Sequence, residues 1–119
     1  MHNFKNLKIW EKSMEISLLI YKITNGFPNE EKYGLTSQIR RCAVSIPSNI
    51  AEGSSRNSNK EFARFLSISI GSSFELETQL MLSKELNFIS ESDFNSLEIN
   101  LNEIQKMLNS FIKSLNIDV

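Results

Sequence analysis

Residues 94–115 read FNSLEINLNEIQKMLNSFIKSL, and in them Phe94, Leu97, Leu101, Ile104, Leu108, Phe111 and Leu115 recur at alternating intervals of three and four. That spacing draws one apolar seam along a helix packed at a shallow angle, as in bundles and coiled coils. Strand alternation, with its period of two, does not fit it. Ser90 followed by Asp93 forms a capping box at its start. A helix with a single apolar seam is stable only against partners, so the preceding chain must supply them.

It does so with three more helical patterns. A third helix starts near Ser58 or Asn59, carries Phe62, Leu66, Ser69, Ser73, Leu76 and Leu80 on one face with Phe65 and Ile68 beside it, and ends around Leu86. The second helix is predicted to begin at Thr36 as N-cap, after the Tyr33-Gly34-Leu35 turn, and to stop at Gly53. Its apolar positions are Ile39, Ala43, Ile46 and Ile50. Pro47 removes the hydrogen bond to the Ala43 carbonyl, yet the apolar spacing runs through it, so one helix kinked near Pro47 is predicted rather than two short ones. In the first helix Leu7, Trp10, Met14, Leu18 and Tyr21 form a stripe that Ile9, Ile16, Ile20 and Ile23 widen, a face broad enough for more than one neighbour. Asn25-Gly26 ends this helix and Phe27-Pro28 opens the connection. Short connections make successive helices antiparallel. The fold class is therefore all-α, an antiparallel up-and-down four-helix bundle, with residues 1–119 as a single domain.

Composition agrees with a packed bundle: 40% hydrophobic and 23% charged residues exclude disorder. No apolar run approaches the ~18 residues of a membrane span. Met1 to Trp10 lack the apolar centre of a signal peptide, and one cysteine, Cys42, permits no internal disulfide, so a cytoplasmic location without membrane contact is expected. The net charge of −1 hides an uneven distribution. Between Thr36 and Leu66 five basic residues face two acidic ones, whereas from Ser67 onward three basic residues face eight acidic ones.

Gln38, Arg41, Ser45, Asn49 and Glu52 share one face of the second helix. Serine and asparagine are poor surface helix formers and suit close helix approaches or hydrogen bonds better. Folding the second helix back about the Gly53–Ser58 turn sets Arg41 opposite roughly residue 71, where Gly71-Ser72-Ser73-Phe74-Glu75 offers small residues and a carboxylate. A polar cluster of Arg41, Ser45, Asn49, Ser72 and Glu75, structural rather than catalytic, is predicted, with Glu52 and Arg64 as a second pair nearer the turn.

These residues also carry a resemblance. Phe27-Pro28, Tyr33-Gly34-Leu35, Gln38, Arg40-Arg41 and the run Ser45-Ile46-Pro47-Ser48-Asn49-Ile50-Ala51-Glu52-Gly53 resemble the four-helix-bundle family of 23S rRNA intervening-sequence proteins. Arg56, Phe62, Phe65-Leu66, Gly71-Ser72 and Glu75-Leu76 continue the pattern, and Leu7, Trp10 and Tyr21 fit it too. The resemblance implies a bacterial protein whose bundles assemble as a ring, commonly a pentamer. The family is similar to the accessory variability determinant of diversity-generating retroelements, a pentameric bundle that binds nucleic acid and a reverse transcriptase. The family's name records where some members are encoded and implies no activity.

Catalytic chemistry finds little footing. Gly26, Gly34, Gly53 and Gly71 are scattered, so neither a phosphate-binding loop nor a dinucleotide fingerprint exists. With one histidine, His2, far from Cys42 in sequence, no metal site of the His/Cys kind is expected and no cofactor is predicted. Cys42 has no histidine base placed to activate it and reads as a small core or interface residue. Glu98 and Glu103 read as solvated, and Trp10 and Tyr21 as core aromatics rather than base-stacking platforms. Arg40, Arg56, Lys60 and Arg64, around the end of the second helix and the start of the third, are the candidate nucleic-acid-binding residues, since a ring would repeat them as a basic belt. The reading that follows is a non-enzymatic homo-oligomeric scaffold with RNA as its candidate ligand. The alternative is an adaptor whose acidic fourth helix docks a protein partner, with no role for nucleic acid.

Overall fold

The computed structural model describes residues 2–115. Four helices, α1 (Lys8–Thr24), α2 (Leu35–Ser54), α3 (Asn59–Glu85) and α4 (Glu91–Ser114), are joined by short connections, and single 3-10 turns occupy Phe4–Asn6 and Asn29–Glu31. Ser17 and Thr24 of α1 meet Ala43 and Arg40 of α2, Cys42 and Ile46 of α2 meet Ser72 and Ser69 of α3, and Glu77 and Lys84 of α3 meet Gln105 and Phe94 of α4. In each pair of helices one number rises as the other falls, so successive helices are antiparallel, the up-and-down arrangement. α2 and α3 pack most extensively and α1 and α4 least, with α1 and α3 on a diagonal. The bundle measures 44 × 24 × 23 Å. Its long axis is that of α3, since 27 residues at a rise of 1.5 Å give about 40 Å.

The α4 seam is buried at Phe94, Leu97, Leu101, Ile104, Leu108 and Leu115, with Phe111 half-buried. The caps act locally. Ser90 Oγ accepts from the Asp93 amide at 3.0 Å, and Ser58 Oγ accepts from the Glu61 amide at 3.1 Å. Beyond α3, Asn87 takes a left-handed φ of 62° while the Phe88 amide donates to the Ser83 carbonyl at 2.8 Å, the geometry that closes a helix C-terminus.

Two boundaries of α2 differ from the sequence reading. Thr36 is not the cap: it lies buried inside the first turn with its hydroxyl unpartnered, and Glu31 Oε1 instead accepts from the Leu35 amide at 3.1 Å. Gly53 does not stop the helix, which continues to Ser54. Its lack of a side chain serves packing, because a Cβ there would fall 2.7 Å from the Phe65 Cβ and 2.9 Å from the Phe62 ring. Gly71, expected to let helices approach, faces open space instead.

α2 is one unbroken helix through buried Pro47. Proline leaves the Ala43 carbonyl without its intrahelical donor, and the Ser17 hydroxyl of α1 reaches that carbonyl at 3.1 Å, while also lying 2.8 Å from the Ser13 carbonyl. One turn on, Ser69 Oγ of α3 donates to the Ile46 carbonyl at 2.9 Å. Hydroxyls from both flanking helices thus bind the backbone beside the proline.

α1 also turns a different face inward. Its core residues are Ile9, Ile16 and Ile20 with Ser13, Ser17 and Thr24 between them. The stripe expected to lead is the outer one: Trp10 is half-buried, and Met14, Leu18 and Tyr21 are exposed. The serines hide the buried face from a hydrophobicity pattern, while their hydroxyls find carbonyls within the helices.

Candidate functional surfaces

The polar stripe of α2 is present, but its side chains do not form the predicted network. Ser45 Oγ donates to the Cys42 carbonyl at 2.8 Å and Asn49 Nδ2 to the Ser45 carbonyl at 2.8 Å, so both are satisfied within α2. Gln38, Arg41 and Glu52 are exposed. Across the α2–α3 contact it is Cys42, one position beyond Arg41, that meets the expected partners: its Sγ lies 3.0 Å from the Ser72 carbonyl and 3.4 Å from Glu75 Oε1. Arg41 and Glu75 form no ion pair, because the register turns the thiol inward and the guanidinium outward. Glu52 pairs with Arg56 at 3.2 Å rather than with Arg64, which lies a helix away.

The four candidate basic residues do not gather. Arg40 sits near the start of α2, where its Nε donates to Thr24 Oγ1 at 2.8 Å and its Nη2 to Asn25 Oδ1 at 3.1 Å. Its guanidinium also lies 4.7 Å from the Tyr21 ring centroid. There it closes the C-terminus of α1, where a cation is favoured. Arg56, at the far end of α2, is bound to Glu52 and stacked 4.7 Å from the Phe65 ring. Lys60 and Arg64 alone of the four are exposed.

The outer stripe of α1 makes a surface that sequence reasoning assigned to the core. Trp10, Met14, Leu18 and Tyr21 face Val44, Pro47 and Ala51 of α2 across an open apolar groove of about 350 Å³. Leu18 is 68% exposed. On α3, Ile68 and Phe74 are exposed within a turn of Gly71, and Met81 and Leu82 about three turns further on. A glycine inside an exposed helix costs about 1 kcal/mol against alanine, and within the monomer nothing approaches it.

Titratable groups show where chemistry is suppressed. Burial, with Glu75 beside it, pushes the Cys42 thiol up to about 12, so it is no nucleophile at neutral pH. Between α3 and α4, a hydrogen bond with Glu77 and then burial push the Glu98 carboxyl up to about 7. Glu77, which also accepts from Gln105 Nε2 at 3.0 Å, is held below the usual carboxylate range. The two carboxyls therefore titrate as one system. Glu98 is thus half-buried and paired rather than solvated, while Glu103 is exposed and bound to Lys12 at 2.9 Å. No described helix is long and apolar enough to cross a membrane. Among the described residues no three His, Cys, Asp or Glu side chains converge as a metal site.

A family model described as 23S rRNA-intervening sequence protein matches residues 5–110. Among solved structures, a protein of unknown function from the S23 ribosomal protein family of Bacteroides thetaiotaomicron is similar at a TM-score of 0.79 and 29% identity, over 88% of this chain and 98% of that one. No functionally curated protein matches.

Proposed function

For a chain that belongs to the family of 23S rRNA-intervening sequence proteins, we propose a non-enzymatic scaffold that works by assembling with copies of itself. The carrying observation is the apolar groove between α1 and α2, lined by Trp10, Met14, Leu18 and Tyr21. Buried apolar area of that kind stabilises by about 25 cal/mol per Å², so leaving it in water is costly unless something covers it. The exposed residues of α3, with a glycine that admits a close neighbour, supply a counterpart on a different side of the bundle. Contact between unlike surfaces of two copies is heterologous, and it closes into a ring when the rotation allows. A pentamer is the ring that the family resemblance implies. Nucleic acid, RNA first, is the proposed ligand of the assembly.

Light scattering on the purified protein tests the assembly, and a titration with folded RNA at two salt concentrations tests the ligand. A monodisperse monomer overturns the scaffold. A ring indifferent to RNA favours the second reading, an adaptor for a protein partner, for which Ile99, 69% exposed on the acidic α4, is the specific observation.

A further inference from the structure

We infer that one end of the bundle, where α1 and α3 begin and α2 and α4 finish, is the surface that docks the phosphate backbone of a folded RNA. The inference rests on the nucleic-acid part of the reading above and replaces a lateral belt with an end face. Antiparallel topology gathers there Lys5 and Lys8 from the start of the chain, Lys60 and Arg64 from the first turns of α3, and Lys106 and Lys113 from the last turns of α4. All six are exposed, and none forms an ion pair with another described residue. Exposed Glu11 and Glu61 stand among them in the first turns of α1 and α3, whereas Glu52 is already bound to Arg56 and Glu103 to Lys12.

The opposite half of the bundle is the acidic one. Glu30, Glu85, Glu91 and Asp93 are exposed toward its end and Glu75 nearer the middle, outnumbering exposed Lys22, Lys32 and Arg41, while Arg40 is held by α1 and Lys84 lies 4.9 Å from the Phe94 ring. A net charge of −1 is therefore the sum of two opposed ends, and it says nothing against a local anion site.

For two of these cations the fold itself has little use, although Lys113 suits the last turn of α4. Lys8 is the first residue of α1 and Lys60 the second of α3, positions where the helix dipole disfavours a positive charge by about 0.3–1 kcal/mol. A phosphate reverses that sign. The end face is 24 × 23 Å across, and a nucleic-acid duplex presents one charge per ~1.7 Å of axis, so several phosphates fall within its width. Between Lys8 and Lys106 lies an apolar hollow containing Leu7, Met107 and Phe111. Such a surface suits an unpaired base beside its backbone, which is how folded RNA differs from a bare polyanion.

The test is fluorescence anisotropy of the full chain with a labelled RNA hairpin over a salt series. Wild type should show a slope of log affinity against log salt of about −4 to −5. Lys60→Gln with Arg64→Gln should flatten it by about 1.5–2, and Lys106→Gln by about 1. Lys22→Gln with Lys32→Gln, at the acidic end, should leave it unchanged. An unchanged slope in the first variant overturns the inference, as does equal weakening by the acidic-end control or equal competition by polyglutamate. Light scattering on the same samples separates the two readings. A ring that ignores RNA overturns this surface alone, whereas a monomer that binds RNA through it overturns the scaffold and leaves the surface standing.

Discussion

Proline at position 47 leaves the Ala43 carbonyl without its helical donor, and the Ser17 hydroxyl approaches it from α1 at 3.1 Å. Removing that hydroxyl strands a buried acceptor, so Ser17→Ala should cost about 1–3 kcal/mol in urea unfolding. In a Pro47→Ala background the backbone amide returns and the same change should cost clearly less; equal costs would mean that the serine serves only its own helix. The Glu77–Glu98 pair supplies a pH dependence. Glu98, raised to about 7, contributes stability in full below its unfolded value, and that contribution is lost as pH rises through about 7. Glu77, lowered, contributes above its unfolded value and loses that contribution as acid protonates it. The pair therefore contributes most near the ordinary carboxylate range, and the melting temperature should fall between about pH 5 and about pH 7 and level off above that. Glu98→Gln, which keeps a donor and cannot ionise, should flatten that fall. The chain announces Pro47 and the carbonyl it frees, but not the distant serine that answers it. Nor does the spacing of α4 reveal which carboxylate of α3 faces Glu98, because such pairings depend on the register between helices.

Individual helices differ in how openly they are written. α4 and the start of α3 are legible because their caps and seams are local: Ser58, Ser90 and the three-and-four spacing each act within a turn or two. α2 is less so, since its first amide is capped by Glu31 from the preceding turn. Gly53, which has the look of a helix stop, is a packing residue; Gly53→Ala should cost about 1–3 kcal/mol through overpacking against Phe62 and Phe65. α1 misleads most. Hydrophobicity ranks the stripe of Met14, Leu18 and Tyr21 alongside the true core face, where Ser13, Ser17 and Thr24 are buried among the isoleucines. Leu18→Glu separates the roles: it should leave helicity and melting temperature near wild type while reducing the mass seen by light scattering. A collapse of the monomer fold would show that Leu18 belongs to the core after all.

For the molecule as a whole, the number of helices, their order and their antiparallel course follow from seams and short connections. The grouping of basic residues does not, because the belt reading treats sequence proximity as spatial proximity. Arg40 and Arg56 lie at opposite ends of α2, and only the assembled bundle brings Lys5, Lys106 and Lys113 toward the same end as Lys60. The unequal packing of the four helices bears on how the chain reaches its native state. α2 and α3 are adjacent in sequence and share the largest interface, whereas α1 and α4, at opposite ends of the chain, share the smallest. A hairpin closed over a short turn loses little loop entropy, so the α2–α3 pair is the natural folding nucleus and the α1–α4 seam the last to zip. Native-state hydrogen exchange should find the slowest amides in the middle of α2 and α3 and the earliest opening along α1 and α4. The reverse order would place the nucleus elsewhere. Because the apolar groove lies on the α1 side of that nucleus, a second copy docking there would act as a clasp on the part of the subunit that breathes most.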